Sequence, residues 1–101
     1  MIIYNVTIKV EWDIANAWLE WMLNEHIPEV LATRCFTEHK VVRLLETDDS
    51  DGPTYAIQYY AASKADYDRY IHTHATHMRK RSTEKWGEKF MAFRSVMEVV
   101  Q

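Results

Sequence analysis

His26 is the residue of this sequence best suited to acid-base chemistry. It follows Met22 by four residues and Trp18 by eight, so on a continuous helix the three side chains share one apolar stripe. The functional interpretation places them in a ligand cleft between helix and sheet, where the imidazole orients a ligand or moves a proton. The alternative interpretation is structural: the ring bonds a backbone carbonyl that Pro28 leaves free and so pins a kink.

Two further histidines fall together on a later helix. His74 shares a stripe with Tyr70 and Met78, and His77 borders the same face. We therefore expect Tyr70 and His74 to face the same ligand as His26. The spacing of His74 and His77 suits a shared metal ion, but no third ligand follows in a zinc motif, so we predict no metal site.

Four polar side chains fall on predicted strands. Side chains alternate between the two faces of a strand. If these four positions point to the same face, one side of the sheet carries Asn5, Gln58, Tyr60 and Arg94 as a hydrogen-bonding patch. Such a patch can orient a small carboxylate or carbonyl, which makes Asn5 and Tyr60 candidate ligand-binding residues. It can equally form the polar centre of an interface between two copies of the chain.

Composition and absent motifs exclude several classes of protein. The chain has 101 residues, is 48% hydrophobic and 27% charged, and has a net charge of -3, so we expect one domain over residues 1–101 and neither nucleic acid nor membrane as partner. Cys35 is the only cysteine, which excludes an intrachain disulfide. The sequence lacks GxGxxG, Walker, GxSxG and HExxH motifs, and its acidic residues 47–51 lack EF-hand spacing. We expect no cofactor and a cytoplasmic location.

Hydrophobic periodicity predicts the elements that position these side chains. Residues 2–12 place every even-numbered side chain on one strand face, and Asp13 is placed to cap a helix that runs to about His26. Pro28 predicts a kink before the short helix PEVLAT. Residues 36–46 and 54–62 predict a hairpin around the acidic loop TDDSDGP.

The remaining residues predict a second helix and a last strand. Ser63 and Asp66 form a capping box, the helix ends near the basic residues 79–81, and the strand spans about residues 89–100. The order β-α-β-β-α-β predicts a ferredoxin-like α+β fold, an antiparallel four-stranded sheet with two helices on one face. Two helices cover only one face of this sheet, yet the last strand is apolar on both sides, with Phe90, Ala92, Val96 and Val100 on one and Met91, Phe93, Met97 and Val99 on the other. A twofold homodimer packed sheet to sheet would bury the uncovered apolar face.

Four segments resemble the domain of unknown function 4286 family of uncharacterised bacterial proteins: IIYNV, EWMLNEHIPEVLAT, TYAIQYY and KFMAFR. The most specific piece is HIPEVLAT at residues 26–33, followed by Phe36. The family pattern usually has glycine after the threonine, where this chain has Arg34, and glycine tolerates a positive φ that arginine does not. The resemblance implies a dimeric α+β barrel, a group that includes small monooxygenases, haem-degrading enzymes, isomerases and stress proteins.

Those related haem-degrading barrels combine a strand-one asparagine, a tryptophan and a helix-two histidine. Asn5 and His74 or His77 would supply two of the three, but tyrosines stand where the tryptophan is expected, so the set is incomplete. Our leading hypothesis is a homodimer that binds a small apolar or aromatic molecule between helices and sheet. The alternatives are a non-catalytic interaction or stress-related dimer, and a cofactor-free or haem-dependent monooxygenase or isomerase in which His26 or His74 moves a proton.

Overall fold

One four-stranded antiparallel sheet organises the computed structural model, which describes residues 1–101. The strands are β1 (Ile2–Val10), β2 (Glu38–Arg43), β3 (Thr54–Ala61) and β4 (Phe90–Glu98), in the spatial order β2-β3-β1-β4. The helices are α1 (Ala15–Trp21), a π-helical segment (Met22–His26), α2 (Ile27–Leu31), α3 (Lys64–Thr73) and α4 (Ala75–Trp86). This arrangement confirms the predicted ferredoxin-like α+β fold.

The two faces of the sheet differ in what covers them. The even-numbered residues of β1 are all buried under the helices, as their period of two predicts. The other side is called the open face below, and its central part consists of Asn5 and Thr7 on β1, Ala56, Gln58 and Tyr60 on β3, and Met91, Phe93, Ser95 and Met97 on β4. Met91 and Phe93 are 60% and 63% exposed there. A large apolar surface therefore stays uncovered in one chain.

The backbone between α1 and α2 stays helical across Pro28. Ile27 has φ -61 and ψ -47, and its N–H donates to the carbonyl of Met22, five residues earlier. In an α-helix the proline ring would clash with the carbonyl four residues before it, and the wider π turn makes room for that ring. The disturbance predicted at Pro28 is present as a π turn, and the helical backbone continues through it into α2.

The start of α1 differs from the prediction. β1 ends at Val10, two residues early, and the residue that precedes the helix is Ile14, with no side-chain cap. Asp13 does not cap the helix because its carboxylate instead lies 2.8 Å from Nζ of Lys89. That ion pair joins the loop after β1 to the loop before β4.

The second helical region also runs differently from its prediction. Ser63 accepts a hydrogen bond from the amide of Asp66, which confirms the predicted cap. The helix bends at His74, where α3 passes into α4, and α4 continues past residues 79–81 to Trp86. Four of residues 80–85 are Lys, Arg or Glu, which are good helix formers, and Lys80 pairs with Glu84 one turn later, so the basic cluster does not end the helix. Gly87, with φ 60, ends it.

The connection from α2 to β2 contains a left-handed residue. Arg34 has φ 62, at the position where the family pattern usually has glycine. Arg69 of α3 donates hydrogen bonds to the carbonyls of Thr33 and Arg34, at 3.2 and 3.0 Å. The guanidinium thereby holds the turn and satisfies two backbone carbonyls that follow the end of α2.

Aromatic side chains fill the space between helices and sheet. Tyr4 is central, with ring centroids of Phe36, Tyr59, Tyr67 and Tyr70 at 5.7 to 6.1 Å from its own. The core that results leaves one cavity between the helical layer and the sheet.

None of the helices is long and apolar enough to cross a membrane.

Candidate functional site

The cavity between helices and sheet has a volume of about 360 Å³. Twelve of its seventeen lining residues are apolar, which suits the body of a hydrophobic ligand. The sequence-predicted residues that line it are Trp18, Met22, His26 and Tyr70. Four of the seven predicted ligand-binding residues are therefore brought together, and the cleft lies where the periodicity placed it.

His26 enters this cavity from the π-helical segment. Its ring stacks on Trp21 with centroids 4.7 Å apart, and its Nδ1 is buried without a hydrogen-bond partner. Burial, and then the nearby charge of Arg81, lower the pKa of His26 to about 4, so the ring is neutral at pH 7. Nδ1 bonds no backbone carbonyl, so the hydrogen bond that would let His26 pin the kink is not made at this atom.

The polar end of the cavity is built around the hydroxyl of Tyr4. Arg79 Nη2 from α4 and Arg94 Nε from β4 both donate to this oxygen, each at 3.2 Å. Both arginines are exposed on their outer sides, so they stand at the mouth of the cavity. An apolar interior with two guanidinium groups at its opening is the main chemical feature of the site.

The buried phenols of the cavity stay protonated. Burial raises the pKa of Tyr59, and the neighbouring Tyr70 and Tyr4 raise it further. Burial is also the main cause that raises the pKa of Tyr70. These groups therefore offer a ligand neutral hydroxyls and aromatic surface, not negative charge.

The remaining predicted site residues lie elsewhere. His74 packs beside Tyr70, with ring centroids 6.1 Å apart, and does not line the cavity. Asn5 and Tyr60 lie on the open face, where Asn5 donates to Thr7 Oγ1 at 3.0 Å and Tyr60 to Gln58 Oε1 at 3.2 Å. The helices and the cavity are on the opposite side of the sheet.

Two groupings considered from the sequence, the polar patch and the haem pair, do not form. Arg94 is not part of the polar patch with Asn5, because the residue opposite Asn5 on β4 is Ser95 and Arg94 points to the helix side. Asn5 and His74 lie on opposite sides of the sheet, so the pair suggested for haem does not face one site. His77 points outward, 4.0 Å from Glu29. No cluster of three His, Cys, Asp or Glu side chains is placed to share a metal ion.

Sequence reasoning missed Arg79 and placed Arg94 on the wrong side of the sheet. Arg94 has the same parity as Phe90 and Ala92 on β4, which line the cavity, and a strict count along the strand would have placed it with them. Arg79 follows the buried Met78 in α4, but the sequence predicts that the helix ends near this basic cluster, so its side chains are not expected to reach the cavity. No local signal shows that both reach Tyr4.

An apolar cavity between one layer of helices and an antiparallel sheet defines this chain as a ferredoxin-like α+β protein with a candidate small-ligand site. The chain belongs to the domain of unknown function family DUF4286, whose model matches residues 1–100. No curated protein sequence matches it.

Solved structures share the fold at low sequence identity. A dimeric ferredoxin-like protein from an uncultured marine organism has a TM-score of 0.72 at 11% identity, over 100% of this chain and 96% of that one. A putative antibiotic biosynthesis monooxygenase from Deinococcus radiodurans has a TM-score of 0.68 at 11% identity, over 100% and 94%. An ethyl tert-butyl ether d (EthD) family protein from Bacillus halodurans has a TM-score of 0.68 at 16% identity, over 99% and 100%. At these identities the similarity establishes the fold.

Proposed function

We propose that this protein is a homodimer in which each chain binds a small apolar or aromatic molecule between helices and sheet. The observation that carries the proposal is the cavity of about 360 Å³, lined mostly by apolar residues and by His26, whose buried Nδ1 has no hydrogen-bond partner in the chain. A volume of this size lies within the range of ligand pockets, about 300–1,000 Å³. A buried imidazole nitrogen without a partner is costly unless a ligand or water satisfies it.

The open face supports the homodimer. Met91 and Phe93 are largely exposed on β4, and Asn5 on the neighbouring strand β1 is already buried within one chain. A second copy packed sheet to sheet would cover these apolar side chains with an identical set, as a twofold interface requires. Two structural neighbours are described as dimeric ferredoxin-like proteins, which favours the same assembly here.

Ligand binding is tested with a neutral probe and a cavity-filling substitution. Ala92 lines the cavity from β4, so Ala92→Phe should fill part of it, whereas Ala65→Phe adds the same ring to an exposed position of α3. We expect the fluorescent neutral ligand N-phenyl-1-naphthylamine to bind wild type and Ala65→Phe equally and Ala92→Phe about tenfold more weakly. Equal affinity for all three, or no binding to wild type, would contradict a ligand site in this cavity.

The homodimer is tested by light scattering on a matched pair of variants. Phe93→Asp places a charge at the centre of the proposed interface, and Leu45→Asp makes the same change at a loop residue that is 80% exposed. We expect wild type and Leu45→Asp to have the mass of a dimer and Phe93→Asp that of a monomer, because an unpaired buried charge is costly. A monomeric wild type would refute the assembly.

A second candidate function is proton transfer on the bound molecule, which the neutral, partner-free ring of His26 favours. Phenylpyruvate is a suitable probe, because its keto-enol conversion needs only a proton shuttle and changes the ultraviolet absorbance. If His26 acts as the base, wild type accelerates the conversion over buffer, His26→Gln does not, and the exposed His72→Gln keeps the activity. Equal rates for wild type and buffer would leave binding as the function.

A further inference from the structure

Two arginines at the cavity mouth have no acidic partner. Arg79 and Arg94 donate to one oxygen, the hydroxyl of Tyr4, so their donor nitrogens are no more than twice 3.2 Å apart. The guanidinium groups of Arg43, Arg69 and Arg81 each contact a carboxylate of the chain, whereas those of Arg79 and Arg94 contact none. A neutral phenol oxygen satisfies one N–H of each group and leaves both positive charges uncompensated.

The positive charge of this pair extends into the cavity. Burial raises the pKa of Tyr70, and both Arg79 and Arg94 oppose that rise, so their field reaches a side chain of the cavity wall. No carboxylate lines the cavity, and the buried Tyr59 and Tyr70 stay neutral. An anionic group is therefore favoured at the Tyr4 end, next to an interior that excludes charge.

We propose that the ligand is a compact carboxylic acid with an aromatic or aliphatic body, whose carboxylate accepts hydrogen bonds from Arg79 and Arg94. The inference rests on the proposed ligand cavity and names the chemical class of its occupant. Guanidinium groups present parallel N–H donors that match the two oxygens of a carboxylate. The apolar body then lies against Trp18, Met22 and Tyr70, in the part of the cavity that offers no further charge.

Binding of an acid and its neutral isostere separates this inference from the proposed cavity itself. We would titrate the protein with 2-naphthoic acid and with 2-naphthamide, which have the same shape and differ in charge, and measure both dissociation constants by calorimetry. Because charge-assisted hydrogen bonds are about twice as strong as neutral ones, we expect the acid to bind about tenfold or more tightly than the amide.

Variants locate the effect. Arg79→Met and Arg94→Met keep the alkyl stems and remove the charges, so each should weaken the acid about tenfold and leave the amide within about twofold. Lys80→Met is the matched control on α4, because Lys80 pairs with Glu84 away from the cavity and its loss should change neither constant. Raising the salt from about 0.02 M to about 0.5 M should weaken the acid alone in wild type, a result that does not depend on how the variants fold.

The outcomes distinguish the two levels of the argument. If the amide binds as well as the acid and neither arginine variant discriminates between them, the carboxylate inference is overturned and the apolar cavity stands. Tighter binding of 2-naphthyl phosphate than of 2-naphthoic acid would also overturn it, in favour of a dianion. If neither naphthyl compound binds, both the inference and the proposed function fail.

Discussion

His26 stacks on Trp21 with ring planes 24° apart, although the two residues are five positions apart in one helical segment. In a regular α-helix, residues at that spacing are about 140° apart around the axis and cannot stack. The π-helical segment Met22–His26 widens the turn and brings the two rings into register. The same turn also makes room for the ring of Pro28. One backbone feature therefore both accommodates the proline and sets the position of the imidazole.

The environment of His26 makes the stability of the protein depend on pH. The pKa of His26 is lowered to about 4 in the folded chain, first by burial and then by Arg81, and is about 6.5 in the unfolded chain. As the pH falls below about 6.5 only the unfolded state takes up the proton. The contribution of this residue is therefore complete above pH 6.5 and is lost by up to about 1.4 kcal/mol per pH unit until the pH nears 4.

Urea unfolding at pH 7.5, 6.0 and 5.0 measures this loss. Carboxylates also contribute to acid sensitivity, so the informative quantity is the difference between wild type and His26→Gln, which should shrink as the pH falls. His72→Gln, at an exposed position of α3, should follow wild type at every pH. A constant difference between wild type and His26→Gln would show that the ring is not buried in its neutral form.

Arg34→Gly should stabilise the protein. Arg34 holds a φ of 62, a conformation that costs a residue with a Cβ about 1–2 kcal/mol and glycine almost nothing. Part of the gain is offset because glycine makes the unfolded chain more flexible, so we expect a net increase of about 1 kcal/mol in the free energy of unfolding. Ala32→Gly, two residues earlier at φ -65, should lower it instead. A loss of stability in Arg34→Gly would contradict the left-handed geometry.

Arg69→Met should destabilise the turn that Arg34 occupies. It removes the hydrogen bonds to the carbonyls of Thr33 and Arg34 and keeps most of the apolar stem. We expect the free energy of unfolding to fall by about 1–2 kcal/mol. Lys64→Met is the control, since its exposed ion pair with Asp68 contributes at most about 0.5 kcal/mol. Equal effects of the two substitutions in thermal unfolding would argue against a capping role for Arg69.

Gly52→Ala should destabilise the protein strongly. A Cβ at this position would lie 1.6 Å from the carbonyl oxygen of Val10, which is backbone and cannot move aside alone. The neighbouring loop is tied to the end of β1 by Val10 N–H donating to the carbonyl of Pro53 at 3.1 Å. We expect a loss of about 2–3 kcal/mol or more, measured by urea unfolding. Gly87→Ala meets no atom within 4 Å and should lose only the strain of its backbone conformation, φ 60 with ψ -128, which is about 1–3 kcal/mol for a residue with a Cβ.

Local patterns predict much of the fold. The alternation along β1 predicts which side chains are buried, the serine at position 63 predicts the start of α3, and the acidic loop between β2 and β3 predicts a hairpin. Each of these features depends on residues close together in the chain. The stripe of Trp18, Met22 and His26 belongs to the same category, and it correctly indicates a cleft between helix and sheet.

Other features depend on groups that are distant in sequence. The pairing of Asn5 with Ser95 between β1 and β4 determines that Arg94 faces the helices. Asp13 does not cap the helix because its carboxylate pairs with Lys89, which is distant in sequence. The helices pack on only one face of the sheet, and Asn5 and Tyr60 lie on the other face, away from the cavity. None of these outcomes can be read from the periodicity of one segment, because each is set by pairing between segments.

The sequence by itself determined the order of strands and helices, the buried face of β1 and the apolar stripe that carries His26, because hydrophobic periodicity and capping act between near neighbours. Only the tertiary structure decided that Arg79 and Arg94 meet at the hydroxyl of Tyr4. These three residues lie on α4, β4 and β1, and the packing of the helices onto the sheet brings them together. The polar end of the candidate site therefore depends on tertiary packing, whereas the hydrophobic periodicity of the sequence predicts its apolar lining.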